Sequence, residues 1–381
     1  IKLGEGLTSI PKKAFLSCRA LTDVTLSKTV ESIGESAFSN CNALTKITLN
    51  EGLKTIGQEA LYRTHISTLH LPSTFKDMGG SYMGDVFEVA GQNPADTAMK
   101  TITVSDDNPL YSSHDGILYN KKATKVVFCP RGVTSAKVLD GVTEIGDMAF
   151  FMCFDLESVK LPDTLKVVGK GAFQYDEALT ECELPKGLET VKDSAFFGAE
   201  NWTGVDRIPS TVKTIGAYGF AECKGSKLTI PEGITKIEEF SFWGYEEGLE
   251  EINLPSTLKI IGNSAFSWAK DVKKLVIPEG VTSIGAEAFA RLDSLESLTL
   301  PSTLQEIGSK AFMGKEGGNM LKSVYIPSSV TSIADDAFLN REDTVIMTDS
   351  KDSAAAAFAG ANGFELKIVS KPDPVNPDKS E

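Results

Sequence analysis

Six cysteines and three histidines are the side chains best suited to nucleophilic or metal chemistry in this 381-residue chain. Cys18, Cys41, Cys153 and Cys223 each follow a phenylalanine by three residues, namely Phe15, Phe38, Phe150 and Phe220. Cys182 stands where an equivalent segment carries Leu298, a core position, and Cys129 is the sixth. No CxxC occurs, so a zinc site has no support in the spacing. Cysteines in an apolar register behave as small hydrophobes. That is the expected role here, although equivalent positions on successive turns of chain would stack and let neighbouring thiols approach. His65, His70 and His114 form no HExxH pair, and neither a GxSxG elbow, a phosphate loop nor a dinucleotide fingerprint is present. Carboxylates abound, but no spacing sets two of them apart as acid and base. Asp106, Asp107, Asn108 and Asp115 offer oxygen ligands without the regular spacing of a calcium loop, and are expected as solvated turn residues. The expectation is therefore no enzyme, no cofactor and no metal.

The residues that do recur are structural. Phe15, Phe38, Phe150, Phe173, Phe196, Phe220, Phe242, Phe266, Phe289, Phe312 and Phe338 return at a spacing of usually 23 residues, nearly always after a small residue. A fixed period in this range marks stacked supersecondary units, each contacting mainly its neighbours. One unit runs from Ile277 through Val281-Thr282-Ser283-Ile284-Gly285 to Ala288-Phe289 and on to Thr299. The alternation in Leu298-x-Leu300 predicts a short strand with one buried face. Pro301 lacks an amide donor and ends it. Gly285 is expected to allow a turn with positive φ, and Ala288-Phe289 to form a single helical or 3₁₀ turn with Phe at the centre of the coil. Anchors equivalent to Leu300 recur about fourteen times from Leu3 to Ile326.

This pattern, Leu-x-x-Leu-x-Leu-Pro followed by Ile-Gly-x-x-Ala-Phe-x-x-Cys, resembles the BspA-like (Treponema-type) leucine-rich repeats over essentially residues 1–345. The resemblance implies a repeat solenoid, a right-handed leucine-rich-repeat superhelix that is β-rich with short helical or 3₁₀ turns, in about fourteen coils. It also implies a bacterial cell-surface or secreted setting, adhesion as a function, and no shared catalytic residues.

Departures from the period set the expected organisation. Residues 1–345 form the solenoid, with an insertion and a β-hairpin at about 79–130. In that stretch Met83 or Phe87 is expected to replace the missing Phe. The hairpin is read from alternation on both sides of Lys121-Lys122-Ala123, and an interruption of this kind is also implied by the resemblance. Residues 346–370 are expected as a C-terminal cap, because Ser353 to Ala359 is a strong helix former with Gly363 at its end. Residues 371–381, Pro- and Asp-rich, read as a stiff linker. The opening at Ile1, inside a repeat, and this tail suggest that further sequence flanks the chain on both sides.

Net charge of −14 disfavours nucleic acid or an anionic membrane as partner. No eighteen-residue apolar run exists to span a bilayer. Binding is expected on exposed side chains beside the Phe ladder. One candidate is the outward face of the strands, including Thr48, His70, Lys160 and Glu183. The other is an aromatic excess just after the ladder Phe: Phe151, Phe154, Tyr175, Phe197, Trp202, Trp243, Tyr245 and Trp268. Aromatic clusters on a surface mark protein or sugar contacts. The expected function is a non-enzymatic, extracellular or cell-surface interaction or adhesion module for a host or cell-surface protein. A glycan ligand on the aromatic edge, or a spacer role for a neighbouring module, are the alternatives.

Overall fold

The computed structural model describes residues 1–79 and 99–370. Two compact units divide the chain, Ile1–Trp202 and Thr203–Glu381. The residues expected to replace the missing Phe, Met83 and Phe87, lie outside the described residues, as does the tail from Lys371.

In the first unit, two kinds of short parallel strand alternate along the chain. Three-residue strands pair in register, as in Asp23–Thr25 with Lys46–Thr48 and Ser135–Lys137 with Ser158–Lys160. Two-residue strands such as Ser9–Ile10, Ser32–Ile33, Thr55–Ile56 and Asp77–Met78 form a second ladder. Their inward members Val24, Ile33 and Ile56 are buried because a β-branched side chain fits the pleat and leaves water only by stacking on the next coil. The interruption is antiparallel. Tyr111–His114 pairs with Ile117–Asn120, which pairs with Lys125–Phe128, and the last rejoins the parallel ladder beside Glu144–Ile145. The outer turn of this three-stranded element is Asp115-Gly116, both at positive φ, as a tight hairpin turn requires. Asn108 sits fully buried at its base. Its amide donates to Pro72 and Phe75 carbonyls, and its oxygen accepts from the Leu110 and Tyr111 amides.

The second unit repeats the scheme. Ile260–Ile261, Ser283–Ile284 and Glu306–Ile307 pair in register, as do Lys274–Val276 and Ser297–Thr299. The helix Ala354–Asn362 begins at Ser353, whose hydroxyl accepts the Ala356 amide, and ends at Gly363 in the left-handed region. Phe358 meets Phe338 at 6.0 Å, and the strand Leu366–Ile368 then adds to Val345–Thr348.

The ladder Phe rings stack nearly parallel. Centroids are 5.1 Å apart for Phe15–Phe38, 4.8 and 5.0 Å for Phe150–Phe173–Phe196, and 5.2 to 5.8 Å from Phe220 through Phe338. The coil rise imposes this face-to-face arrangement, which rings do not prefer by themselves. The Ala-Phe segment is not a helical turn. Residues two before and two after the Phe take positive φ, as in Glu287 (57°) and Arg291 (63°) around Phe289. These left-handed residues bracket a run of i→i−3 turns, such as Ala288 to Gly285 and Ala290 to Glu287, and every second amide points at the next coil: Glu287, Phe289 and Arg291 donate to the Ser309, Ala311 and Met313 carbonyls. A helix would have turned those amides inward.

The glycines divide two tasks between them. Gly285 is not at positive φ; a Cβ there would stand 2.8 Å from the Asn263 amide nitrogen and the Gly262 carbonyl carbon. Close approach of backbones, not turn conformation, selects it. The turn glycine is Gly280, at φ 102°. Its amide donates to Thr303 Oγ1 in the next coil, and that hydroxyl donates to the Val281 carbonyl. Beside it, Glu279 accepts from both the amide and the hydroxyl of Ser302. The same latch joins Gly52 to Thr74 and Gly233 to Thr257, each with its Glu–Ser pair. Gly6–Thr29 and Gly141–Thr164 repeat the Thr half. Glycine-type and threonine-type turns therefore alternate, and the coils are latched two by two.

Candidate functional site

The places one and two residues after the ladder Phe lie at the edge of the core: small side chains there, such as Ser39 and Ala290, are buried, and large ones reach the surface. Whatever stands at those places is free to vary, and several hold aromatic rings. In the first unit Phe151, Tyr175 and Phe197 come from three successive coils and touch in turn. Centroids are 6.3 Å apart for Phe151–Tyr175 and 5.2 Å for Tyr175–Phe197, and the Arg131 guanidinium lies 5.7 Å over the Phe151 ring. All three are half-buried. In the second unit Trp243 and Trp268 are half-buried as well. Trp268 holds two cations, with Arg291 4.4 Å and Lys270 Nζ 5.1 Å from its ring. Asp293 binds that Arg291 through two hydrogen bonds, at 3.0 and 2.9 Å, and Glu246 binds Lys270 at 2.7 Å. The Asp293 hydrogen bonds push the Arg291 pKa up.

Two of the sequence candidates do not belong to a surface. Trp202 is fully buried, stacked 4.3 Å from Phe196, and its indole donates to the Cys182 carbonyl at 2.8 Å. It continues the ladder at the end of the first unit. Tyr245 is 1% exposed, and its hydroxyl donates to the Phe220 carbonyl at 2.8 Å. It stands three residues after Phe242, where the position faces inward, so closeness to the ladder in sequence did not mean exposure. Sequence reasoning also missed Tyr218 and Phe240, two residues before Phe220 and Phe242. Their rings stack 4.6 Å apart at an interplanar angle of 5°, half-buried. The signal was available as an aromatic two places before the ladder ring.

The inward position three after each ladder site has its own chemistry. Cys41 Sγ donates to the Phe15 carbonyl, Tyr245 Oη to Phe220, and Arg341 Nε to Phe312, at 3.1, 2.8 and 2.6 Å. Cys129 takes a ladder place, since its amide donates to Ala149, and Cys153 Sγ reaches its carbonyl at 4.0 Å. In the same position Asp176 is fully buried. One carboxyl oxygen accepts the Cys153 amide at 2.8 Å, and the other has no partner. Burial pushes the Asp176 carboxyl well above its usual range, with the Cys153 thiol adding and the Cys153 amide and Arg131 charge opposing. Burial likewise raises the thiols of Cys153, Cys182 and Cys223 far above their ordinary value, so at neutral pH they are protonated core groups. Among the described residues, no three His, Cys, Asp or Glu side chains gather as a metal site, and no helix is long and apolar enough to cross a membrane.

The chain matches the model of the BspA type leucine rich repeat region at residues 1–85, 121–247, 206–317 and 243–361. No curated protein matches it. Similar solved structures are leucine-rich repeat proteins. One from Eubacterium ventriosum is 20% identical, covering 89% of this chain and 82% of its own, with a TM-score of 0.48. One from Bacteroides ovatus is 22% identical, covering 90% and 88%, with a TM-score of 0.47. A leucine rich cell surface protein from Faecalibacterium prausnitzii is 22% identical, covering 91% and 64%, with a TM-score of 0.34.

Proposed function

The chain belongs to the BspA-type leucine-rich-repeat family, and from that premise we propose that it is a non-enzymatic interaction or adhesion module, displayed on or secreted from a bacterial cell, whose ligand is a protein. The observation that carries this reading is the set of half-buried aromatic rings at the edge of the core: Phe151, Tyr175 and Phe197 in one unit, Trp243 and Trp268 in the other. The repeat needs one inward Phe per coil and nothing aromatic beside it, as Ser39 and Ala290 show at the position Trp243 occupies. Rings kept half in water are the usual anchors of protein contacts. Five of the six thiols are locked in the core, and many surface carboxylates are held in ion pairs with lysines or stand exposed. The test is a binding screen of the purified chain against host matrix proteins and glycans. A protein ligand whose binding falls about tenfold or more on Trp243→Ala or Trp268→Ala supports the reading. A ligand indifferent to both, and to Tyr175→Ala, removes the aromatic rings from it.

A further inference from the structure

Tyr218, Phe240 and Trp243 stand in a part of the second unit whose charge is one-sided. Between Lys236 and Lys259 there are six glutamates and no lysine or arginine. Three are matched: Glu238 by Lys236, Glu246 by Lys270 and Glu251 by Lys227. The other three, Glu239, Glu247 and Glu250, are exposed and make no ion pair. The backbone ladder sets Tyr218 beside Glu239 and Trp243 beside Glu222, and Glu247 follows Trp243 by four residues. The Tyr218 amide donates to the Glu239 carbonyl at 3.3 Å, the Glu222 amide to the Trp243 carbonyl at 2.8 Å, and the Trp243 amide to Phe240 at 3.1 Å. Tyr218 and Phe240 hold left-handed φ of 56° and 57°, a region that disfavours large side chains. At the same place in the following coils stand Ser264, Glu287 and Lys310, so the fold does not call for rings.

We propose that Tyr218, Phe240 and Trp243, together with Glu239, Glu247 and Glu250, form a docking surface for a lysine- or arginine-bearing segment of the partner protein. This rests on the reading of the chain as a protein-binding module and adds the chemistry of what it takes. The neighbouring coils show the grip in miniature. Lys270 is held between the Trp268 ring and Glu246, and Arg291 between the same ring and Asp293. An aromatic face supplies the cation–π attraction and desolvates the stem, while a carboxylate takes the charge. Trp243 and its unmatched glutamates repeat those components without a cation of their own. A net charge of −14 steers the same class of partner toward the chain.

The experiment titrates the full chain with a synthetic eight-residue peptide alternating lysine and glycine, and with its glutamine-for-lysine analogue, by calorimetry and tryptophan fluorescence at low and high salt. Saturable binding of the lysine peptide alone is expected. Trp243→Ala should weaken it about 2- to 30-fold, the range of one cation–π contact, with Trp243→Phe retaining most of it. Glu247→Gln with Glu250→Gln should weaken it further at low salt, while the charge-matched pair Glu157→Gln with Glu181→Gln should leave it unchanged. Thermal melting checks that each variant is folded. The proposal is overturned by absence of binding, or by equal loss in both glutamate pairs with Trp243→Ala unchanged, which marks diffuse attraction to an acidic chain. A protein ligand that depends on Trp243 while the lysine peptide fails to bind sinks this proposal and leaves the broader one standing.

Discussion

A thiol, a phenol and a guanidinium perform one task in this chain: each sends a proton donor back to the ladder carbonyl of the coil before it. Asp176 shares the position but, ionised, has nothing to donate. Its buried oxygen without a partner is the residue-scale cost of that mismatch. The native state holds the proton to a higher pH than the unfolded chain, where an Asp titrates near about 3.9. Its contribution to stability is therefore fully present below that value and is lost as pH rises through the folded pKa. Asp176→Asn keeps the shape and supplies a permanent donor. It should stabilise the protein by roughly 1–3 kcal/mol at neutral pH, with a smaller gain at acid pH. Urea unfolding at pH 5 and pH 8 checks this, and a gain that does not grow with pH counts against it. Arg341 is the opposite case. Burial pulls its pKa down to about 10, yet it is satisfied by the Phe312 and Leu292 carbonyls and by Asn319 Oδ1. Arg341→Met leaves these acceptors bare and should cost about 3 kcal/mol or more. Arg341→Lys should not recover the loss, because an ammonium lacks the planar fork that reaches three ways.

At the scale of the element, what was legible followed from burial. The strand at Leu298, its stop at Pro301 and the ladder Phe could be read because each inward place admits few side chains, and those recur. The left-handed flanks could not. Glu287, Lys310, Tyr218 and Ser264 all adopt that backbone, since the bond to the next coil, rather than residue type, holds them there. The same blindness explains the candidate site. Trp243 and Tyr245 are two residues apart, yet one is half-buried and the other buried, because the left-handed Gly244 stands between them. Gly285 has the sequence setting of a turn residue, but its task is contact. Gly308 shares that task, and a Cβ there would lie 2.6 Å from the Ala286 amide nitrogen. Gly308→Ala should therefore destabilise by roughly 2–3 kcal/mol, an overpacking cost, even though Gly308 is not at positive φ. Thr303→Val, matched in shape, removes one donor and one acceptor from the latch and should cost about 1–2 kcal/mol. Thermal or denaturant melts of the two variants decide both expectations.

Across the molecule, coils bond chiefly to their immediate neighbours within each unit, so damage should stay local. Phe266→Ala opens a void between Phe242 and Phe289. Hydrogen exchange should quicken at the Phe242, Phe266 and Phe289 amides while those of Phe150 and Phe173 keep their wild-type rates. Uniform acceleration throughout would mean that the coils melt as one. The paired turn latch bears on how such a chain changes length. A single coil added or lost would set glycine turn against glycine turn or threonine against threonine, so growth by duplication should proceed in even steps. Among the described residues of the second unit there is an odd step, where the threonine-type turn at Ser302-Thr303 is followed by a serine turn at Ser328-Ser329. There the amide and hydroxyl of Ser328 turn forward to Asp349 instead. An acid supplied from the far side thus holds Ser328, while the Ser329 oxygen in the threonine place stays buried without a partner. The same acid opposite a second serine is the mark by which other odd-numbered arrays could be recognised.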